Sequence, residues 1–261
     1  MKKYLNWKLL ERKANDNGYK GTKNISKEES IEIIESLNDF NINDQAIYRG
    51  IDLPYDFYIV DPKQDRREYV VGTMPTLIME YHESWEKYPS RMESLFITNE
   101  YDEYMTYGKI FRVIPFDDAS FGVSSTYNYK ESFSNIKKAG MTATNFFYAI
   151  KDYFNYIGSG YFTIPETTEE KKNYINKENY DYCLMQLDEM LMNTDCQDEK
   201  FCRFDDADDL VNYYFNADDN GFKIKQYKDL LNEIKTSTKE IWTDSKCLLI
   251  SDDVYNKIFN I

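Results

Sequence analysis

Basic charge is what this sequence most lacks. Its 32 Lys and Arg stand against 46 Asp and Glu, a formal net charge of −14 over 261 residues. Nonspecific affinity for DNA or RNA comes from clustered cations that release counterions, so this balance argues against a nucleic-acid partner. Histidine is reduced to one residue, His82, and no Ser or Cys is spaced from it as a catalytic triad would suggest. A surface or hydrogen-bonded structural role is the simpler reading. The four cysteines, Cys183, Cys196, Cys202 and Cys247, contain no C-x-x-C pair, so neither a zinc knuckle nor a thioredoxin-type redox pair is encoded. They read as buried thiols in a reducing compartment. Glycine is scarce, at 10 residues, and neither G-x-x-x-x-G-K-[ST] nor G-x-G-x-x-G occurs, so the usual glycine-rich phosphate cradles are absent. No apolar run approaches the roughly 18 residues of a membrane span. At the amino terminus Asn6, Lys8, Glu11 and Arg12 interrupt the chain before a signal-peptide core forms. The expectation is a cytoplasmic protein that does not engage a membrane.

What is present is ample apolar material, 42% of the chain with 24 Tyr and 16 Phe, enough for one large domain or one with an insertion. In SKEESIEIIESLNDF, Ser26 and Glu29 form a capping box ahead of Ile33, Ile34 and Leu37 at helical spacing, which predicts a helix from about Ser26 to Asp39. QAIYRGIDL reads as a strand over Ala46 to Ile51, stopped by Gly50 and Pro54. Thr76 to Trp85 reads as helical, and Pro89 breaks it before a β run from Ser94 to Thr98. A helix from Tyr101 to Tyr107 ends at Gly108, and a strand follows from Ile110 to Ile114.

Beyond Phe121 the periodicity turns helical. Phe147, Ile150, Phe154 and Ile157 make one stripe, and Leu184, Leu187 and Leu191 make another, both read as core. DDADDLVNYYF and IKQYKDLLNEIK read as helices too. In KEIWTDSKCLLIS two short strands flank the turn Thr243 to Lys246. The expected architecture is α+β, a sheet core from residues 1–124 and 236–261 with a helical insertion over 125–235.

Two acidic stretches invite a calcium reading. Asn216–Gly221 copies the start of an EF-hand loop, but its twelfth position is Tyr227, where a bidentate Glu is required. Asp205 and Asp206 are better read as N-cap and first-turn acids at a helix dipole. No metal is expected.

Three other pieces carry chemistry. A strand ending in Tyr48, Arg49 and Gly50 offers a guanidinium for a pyrophosphate or ribose hydroxyl, and a small residue that a ligand can approach. A second strand ends in Phe96, Ile97 and Thr98, whose hydroxyl can orient a neighbouring acid. Glu240 opens a late strand, where a carboxylate can stabilise an oxocarbenium-like sugar cation.

The order IYRG at 47–50, FITNE at 96–100, YGKIFRVIP at 107–115 and TKEIWTDSKCLLI at 238–250 resembles the Arg-Ser-Glu class of ADP-ribosyltransferases. The stretch from YPSRMESLFITNE to FDDASFGV is also similar to transferase-like proteins of tailed phages. The resemblance implies an ADP-ribosyltransferase-like split β-sheet core, with NAD as substrate and a host protein as acceptor in the host cytoplasm. It makes Glu240 the catalytic acid, with Thr98 in place of the family's first serine. Arg49, Gly50 and Tyr48 would bind NAD, with Tyr101 or Tyr104 stacking on nicotinamide. Ser-Thr-Ser is replaced here by Thr98, Asn99 and Glu100, and Thr238 stands where an acidic or amide residue is frequent, so the acceptor stays open. Two alternatives remain beside the transferase: a catalytically silent binding, inhibitory or structural phage protein, and an NAD glycohydrolase with water as acceptor.

Overall fold

The computed structural model describes residues 21–64, 73–101, 108–142, 145, 146, 148, 149, 175–192, 201 and 203–260. Within them the chain is α+β, with a five-stranded and a four-stranded sheet. It divides into two compact units: Met1–Arg67, Pro89–Val123 and Ile224–Ile261 in one, Glu68–Tyr88 and Ser124–Lys223 in the other.

Among the described residues the first unit begins with strand β1 (Thr22–Asn24) and helix α1 (Lys27–Ser36). Ser26 caps α1 as its spacing predicts, its hydroxyl accepting from the Glu29 amide at 3.0 Å. The Glu29 carboxylate binds Lys23 Nζ at 3.2 Å. The helix stops at Ser36 because Leu37 turns to extended φ/ψ. Strands β2 (Tyr48–Ile51), β3 (Phe57–Val60), β4 (Leu95–Ile97), β5 (Lys109–Pro115) and β6 (Ser120–Val123) follow. Strand β7 (Lys223–Gln226), helix α7 (Tyr227–Ile234), β8 (Ile241–Thr243), β9 (Cys247–Ser251) and helix α8 (Asp252–Phe259) complete the set.

The sheet orders are β1-β3-β9-β5-β2 and β4-β8-β6-β7. Central β9 shows why the five-stranded sheet is covered on both faces: side chains alternate along a strand, and every residue of CLLIS is buried. Cys247 and Leu249 join the core shared with the second sheet and with Leu230, Leu231 and Ile234 of α7. Leu248 and Ile250 join the opposite cluster, which takes Ile34 from α1 and Tyr255 from α8. Truncating any of these buried leucines to Ala would cost about 2–5 kcal/mol.

The strands flanking the turn Thr243 to Lys246 lie in different sheets, so the turn is where the chain changes layer. Thr243 holds it, donating from Oγ1 to the Ser120 carbonyl at 2.7 Å and accepting from the Ser245 amide at 3.1 Å. Strands β5 and β6 change layer in the same way, through Asp118 at φ 65°. IKQYKDLLNEIK, read as one helix, divides into β7 and α7. Strands β1, β3, β6 and β7 carry no period-2 pattern long enough to mark them in the sequence.

The second unit is helical: α2 (Thr73–Tyr81), α3 (Tyr129–Ser132), α4 (Ser134–Lys138), α5 (Lys177–Met192) and α6 (Ala207–Phe215). The region read as one helix to Trp85 breaks at His82, which caps a 3₁₀ turn over Glu83–Trp85. His82 is 3% exposed, its Nδ1 lies 2.9 Å from Ser84 Oγ, and burial lowers its pKa. Asp206 caps α6, accepting from the Asp209 amide at 2.8 Å. In α5 the buried apolar face is Tyr180, Cys183, Leu187 and Met190, with Leu184 and Leu191 only partly covered. The predicted stripe is thus rotated about Leu187, because both sets have helical spacing and packing against neighbouring elements decides which is covered. The stripe Phe147, Ile150, Phe154 and Ile157 lies outside the described residues. Edge-on aromatic packing fills this core, as in Phe133 against Phe215 at 5.2 Å and Trp85 against Phe222 at 4.8 Å.

Candidate active site

Arg49 sits in β2 between Ile47 and Ile51, and residues two apart share a face of a strand. Both isoleucines are 1% exposed and belong to the core between the sheets, so Arg49 leaves β2 on that inner face and is itself only 5% exposed. Its Nη1 donates to the Phe96 carbonyl at 3.1 Å. That bond links β2 to β4 through a side chain.

A backbone link lies beside it. Tyr48 and Thr98 form an antiparallel bridge, with N–H to O distances of 2.7 and 3.0 Å in the two directions. Strand β4 in turn pairs with β8, Phe96 opposite Trp242 and Ile97 opposite Ile241. Continued by one residue, that register sets Thr98 across from Glu240. The backbones of Tyr48, Thr98 and Glu240 therefore lie near one another where the two sheets are joined, with Arg49 next to Tyr48. Gly50 continues β2, buried and opposite Ile110.

Glu240 is not an isolated carboxylate. Its Oε1 accepts from Arg91 Nη2 at 2.5 Å, with the two side chains 20% and 11% exposed. The Arg91 guanidinium lies 4.6 Å from the ring centroids of both Phe96 and Trp242, within cation–π range. Sequence reasoning missed Arg91. It precedes β4 in an irregular segment, and nothing local connects it to a carboxylate 149 positions away.

The replacements for Ser-Thr-Ser do structural work on the segment before Glu240. Asn99 Nδ2 donates to the carbonyls of Ile234 at 2.9 Å and Ser237 at 3.2 Å. Thr238 Oγ1 donates to Glu100 Oε2 at 3.1 Å. Thr98 Oγ1 accepts from the Glu100 amide at 3.1 Å, so its hydroxyl shapes the turn after β4. Tyr101, 38% exposed, meets Tyr48 edge-on at 5.3 Å, and burial raises the Tyr48 phenol's pKa. Tyr104 lies outside the described residues.

The EF-hand-like stretch is organised by its own turns. Asn216 Oδ1 accepts from the amides of Asp218 and Asp219, Asp218 binds Lys87 Nζ and the Tyr88 hydroxyl, and Asn220 Nδ2 donates to the Tyr214 and Asn216 carbonyls. Among the described residues no group of three or more His, Cys, Asp or Glu is arranged to hold a metal ion, and no helix is long and apolar enough to cross a membrane.

Chemically, Arg49 offers a guanidinium suited to a planar bidentate grip on phosphate, and Glu240, paired with Arg91, offers a partly exposed carboxylate suited to a developing cation. Set against known protein families, curated proteins and solved structures, the chain matches none of them.

Proposed function

We propose that this chain is an NAD-dependent ADP-ribosyltransferase, phage-encoded, that moves ADP-ribose from NAD to a host protein, and that its two-sheet unit is an ADP-ribosyltransferase-like split sheet. One observation supports the reading: the Tyr48–Thr98 bridge and the β4–β8 pairing set the backbone at Arg49, Thr98 and Glu240, scattered over some 190 positions of sequence, near one another at the junction of the two sheets. In this reading Arg49 holds the diphosphate of NAD, and Gly50, Tyr48 and Tyr101 line the nicotinamide side. Glu240 stabilises positive charge at the ribose as the bond from its anomeric carbon to nicotinamide breaks. Nicotinamide leaves with the bonding electrons, the acceptor nucleophile forms the new bond to that carbon, and the acceptor's proton passes to solvent. With water as acceptor the same residues make an NAD glycohydrolase.

The Arg91–Glu240 ion pair favours a second reading, a catalytically silent module that binds a partner, because the guanidinium offsets the carboxylate's charge. The test is nicotinamide release and labelled ADP-ribose transfer from NAD in host lysate, for wild type beside Glu240→Gln and Arg49→Ala. The transferase reading expects wild-type turnover, about 10²–10³-fold slower in Glu240→Gln. Nicotinamide release with no labelled macromolecule identifies the glycohydrolase. No turnover and no NAD-dependent rise in melting temperature overturns both enzymatic readings.

A further inference from the structure

We infer that Arg91 is the positioning residue for the Glu240 carboxylate; the inference rests on the function proposed above. Glu240 immediately precedes β8, and backbone pairing between β4 and β8 does not by itself orient its carboxylate. Its Oε1 is held instead by Arg91 Nη2. A guanidinium orients a carboxylate only as well as it is itself held, and Arg91 is held on a rigid support. Phe96 and Trp242, the two rings against it, are directly opposed register partners. Cross-strand partners project on the same side of a sheet, so the rings form one platform.

Trp242 is in turn immobilised on two sides. Its Nε1 donates to the Pro89 carbonyl at 2.9 Å, two residues before Arg91. It is also opposed by Gly122, where an added Cβ would lie 2.1 Å from the indole. Trp242 is fully buried. The chain of support runs from Gly122 and Pro89 through Trp242 to Arg91, and from Arg91 to Glu240. A carboxylate oriented before the reaction needs no reorganisation when charge develops on the substrate. Arg91 offsets part of that carboxylate's charge, so what it contributes is direction.

The experiment measures nicotinamide release from NAD by wild type, E240Q, R91M and R91K, with melting temperatures, and by R91A with and without millimolar guanidinium chloride. The expected result is a kcat for R91M lowered about 10²-fold, toward that of E240Q, with KM for NAD within about threefold of wild type. R91K should recover little of the loss, since an ammonium lacks the planar fork, whereas free guanidinium should restore turnover to R91A. Wild-type kcat in R91M, with E240Q inactive, overturns the inference and leaves the functional reading standing. A raised KM with unchanged kcat also overturns it, because Arg91 would then be binding NAD. Absence of turnover in wild type overturns the functional reading, and this inference falls with it. If R91M melts below the assay temperature, R91K and the rescue of R91A decide.

Discussion

Tyr48 and Thr98 exchange two backbone hydrogen bonds, 2.7 and 3.0 Å long, and so tie the outer strand of the five-stranded sheet to the first strand of the four-stranded one. Because main-chain atoms make this bridge, it survives changes of side chain at either residue. Neighbouring Arg49 reaches across the same seam with its side chain.

Replacing Arg49 should therefore affect both stability and ligand binding. Arg49→Ala removes the donor to a partly buried Phe96 carbonyl and should cost about 1–3 kcal/mol in urea unfolding. NAD affinity by calorimetry should fall at least about tenfold. Arg49→Lys should recover stability better than affinity, since it keeps the charge and loses the fork. Wild-type NAD affinity in Arg49→Ala would remove this residue from the proposed site.

Gly122 is a packing requirement rather than a turn residue. Its missing Cβ leaves room for the Trp242 indole, so Gly122→Ala should destabilise the protein by about 1–3 kcal/mol through overpacking. The shift in denaturation midpoint measures this, and the Trp fluorescence maximum reports any displacement of the ring. An unchanged midpoint would mean that the indole has room to move.

Asp218 should contribute to the acid limb of stability. The Lys87 ammonium holds its carboxyl below the ordinary Asp value; desolvation opposes this and the Tyr88 hydroxyl adds to it. A group whose folded pKa is depressed stabilises fully above its unfolded pKa, near 3.9, and loses that contribution as pH falls through the folded value. The melting-temperature difference between wild type and Asp218→Asn should be constant from about pH 5 to 7 and shrink below about pH 4. A difference that does not change with pH would show that the charge is not involved.

Cys183 and Cys247 should be inert. Both are buried, and desolvation pushes the Cys183 thiol up to about 12 and the Cys247 thiol higher still. Since the thiolate is the reactive form, iodoacetamide at about pH 8 should leave both unmodified in native protein and alkylate both in denaturant, as peptide mass spectrometry would show. Modification of either in native protein would indicate local opening.

Where residues act on near neighbours, the sequence is a sufficient guide. Ser26 before α1 and Asp206 before α6 each satisfy an amide within one helical turn, so the cap can be read from spacing alone. The strands around Arg49 and Val113 were legible because short apolar runs there end in Gly or Pro, and the one around Phe96 because a compact apolar run follows the break at Pro89. The buried face of α5 was legible only in part, since two stripes of equal periodicity compete and only packing decides between them.

Composition, caps, strand kinds and the chain order of Arg49, Thr98 and Glu240 were thus determined by the sequence itself, because each depends on residues close together along the chain. Only the tertiary structure decided that β8 and β9 enter different sheets across one turn, that KIKQ extends a sheet edge, and that Glu240 is bound by Arg91. The reason is the same in each case. Sheet pairing and ion pairing join residues far apart in sequence, and their energies depend on which surfaces meet, which no local pattern encodes.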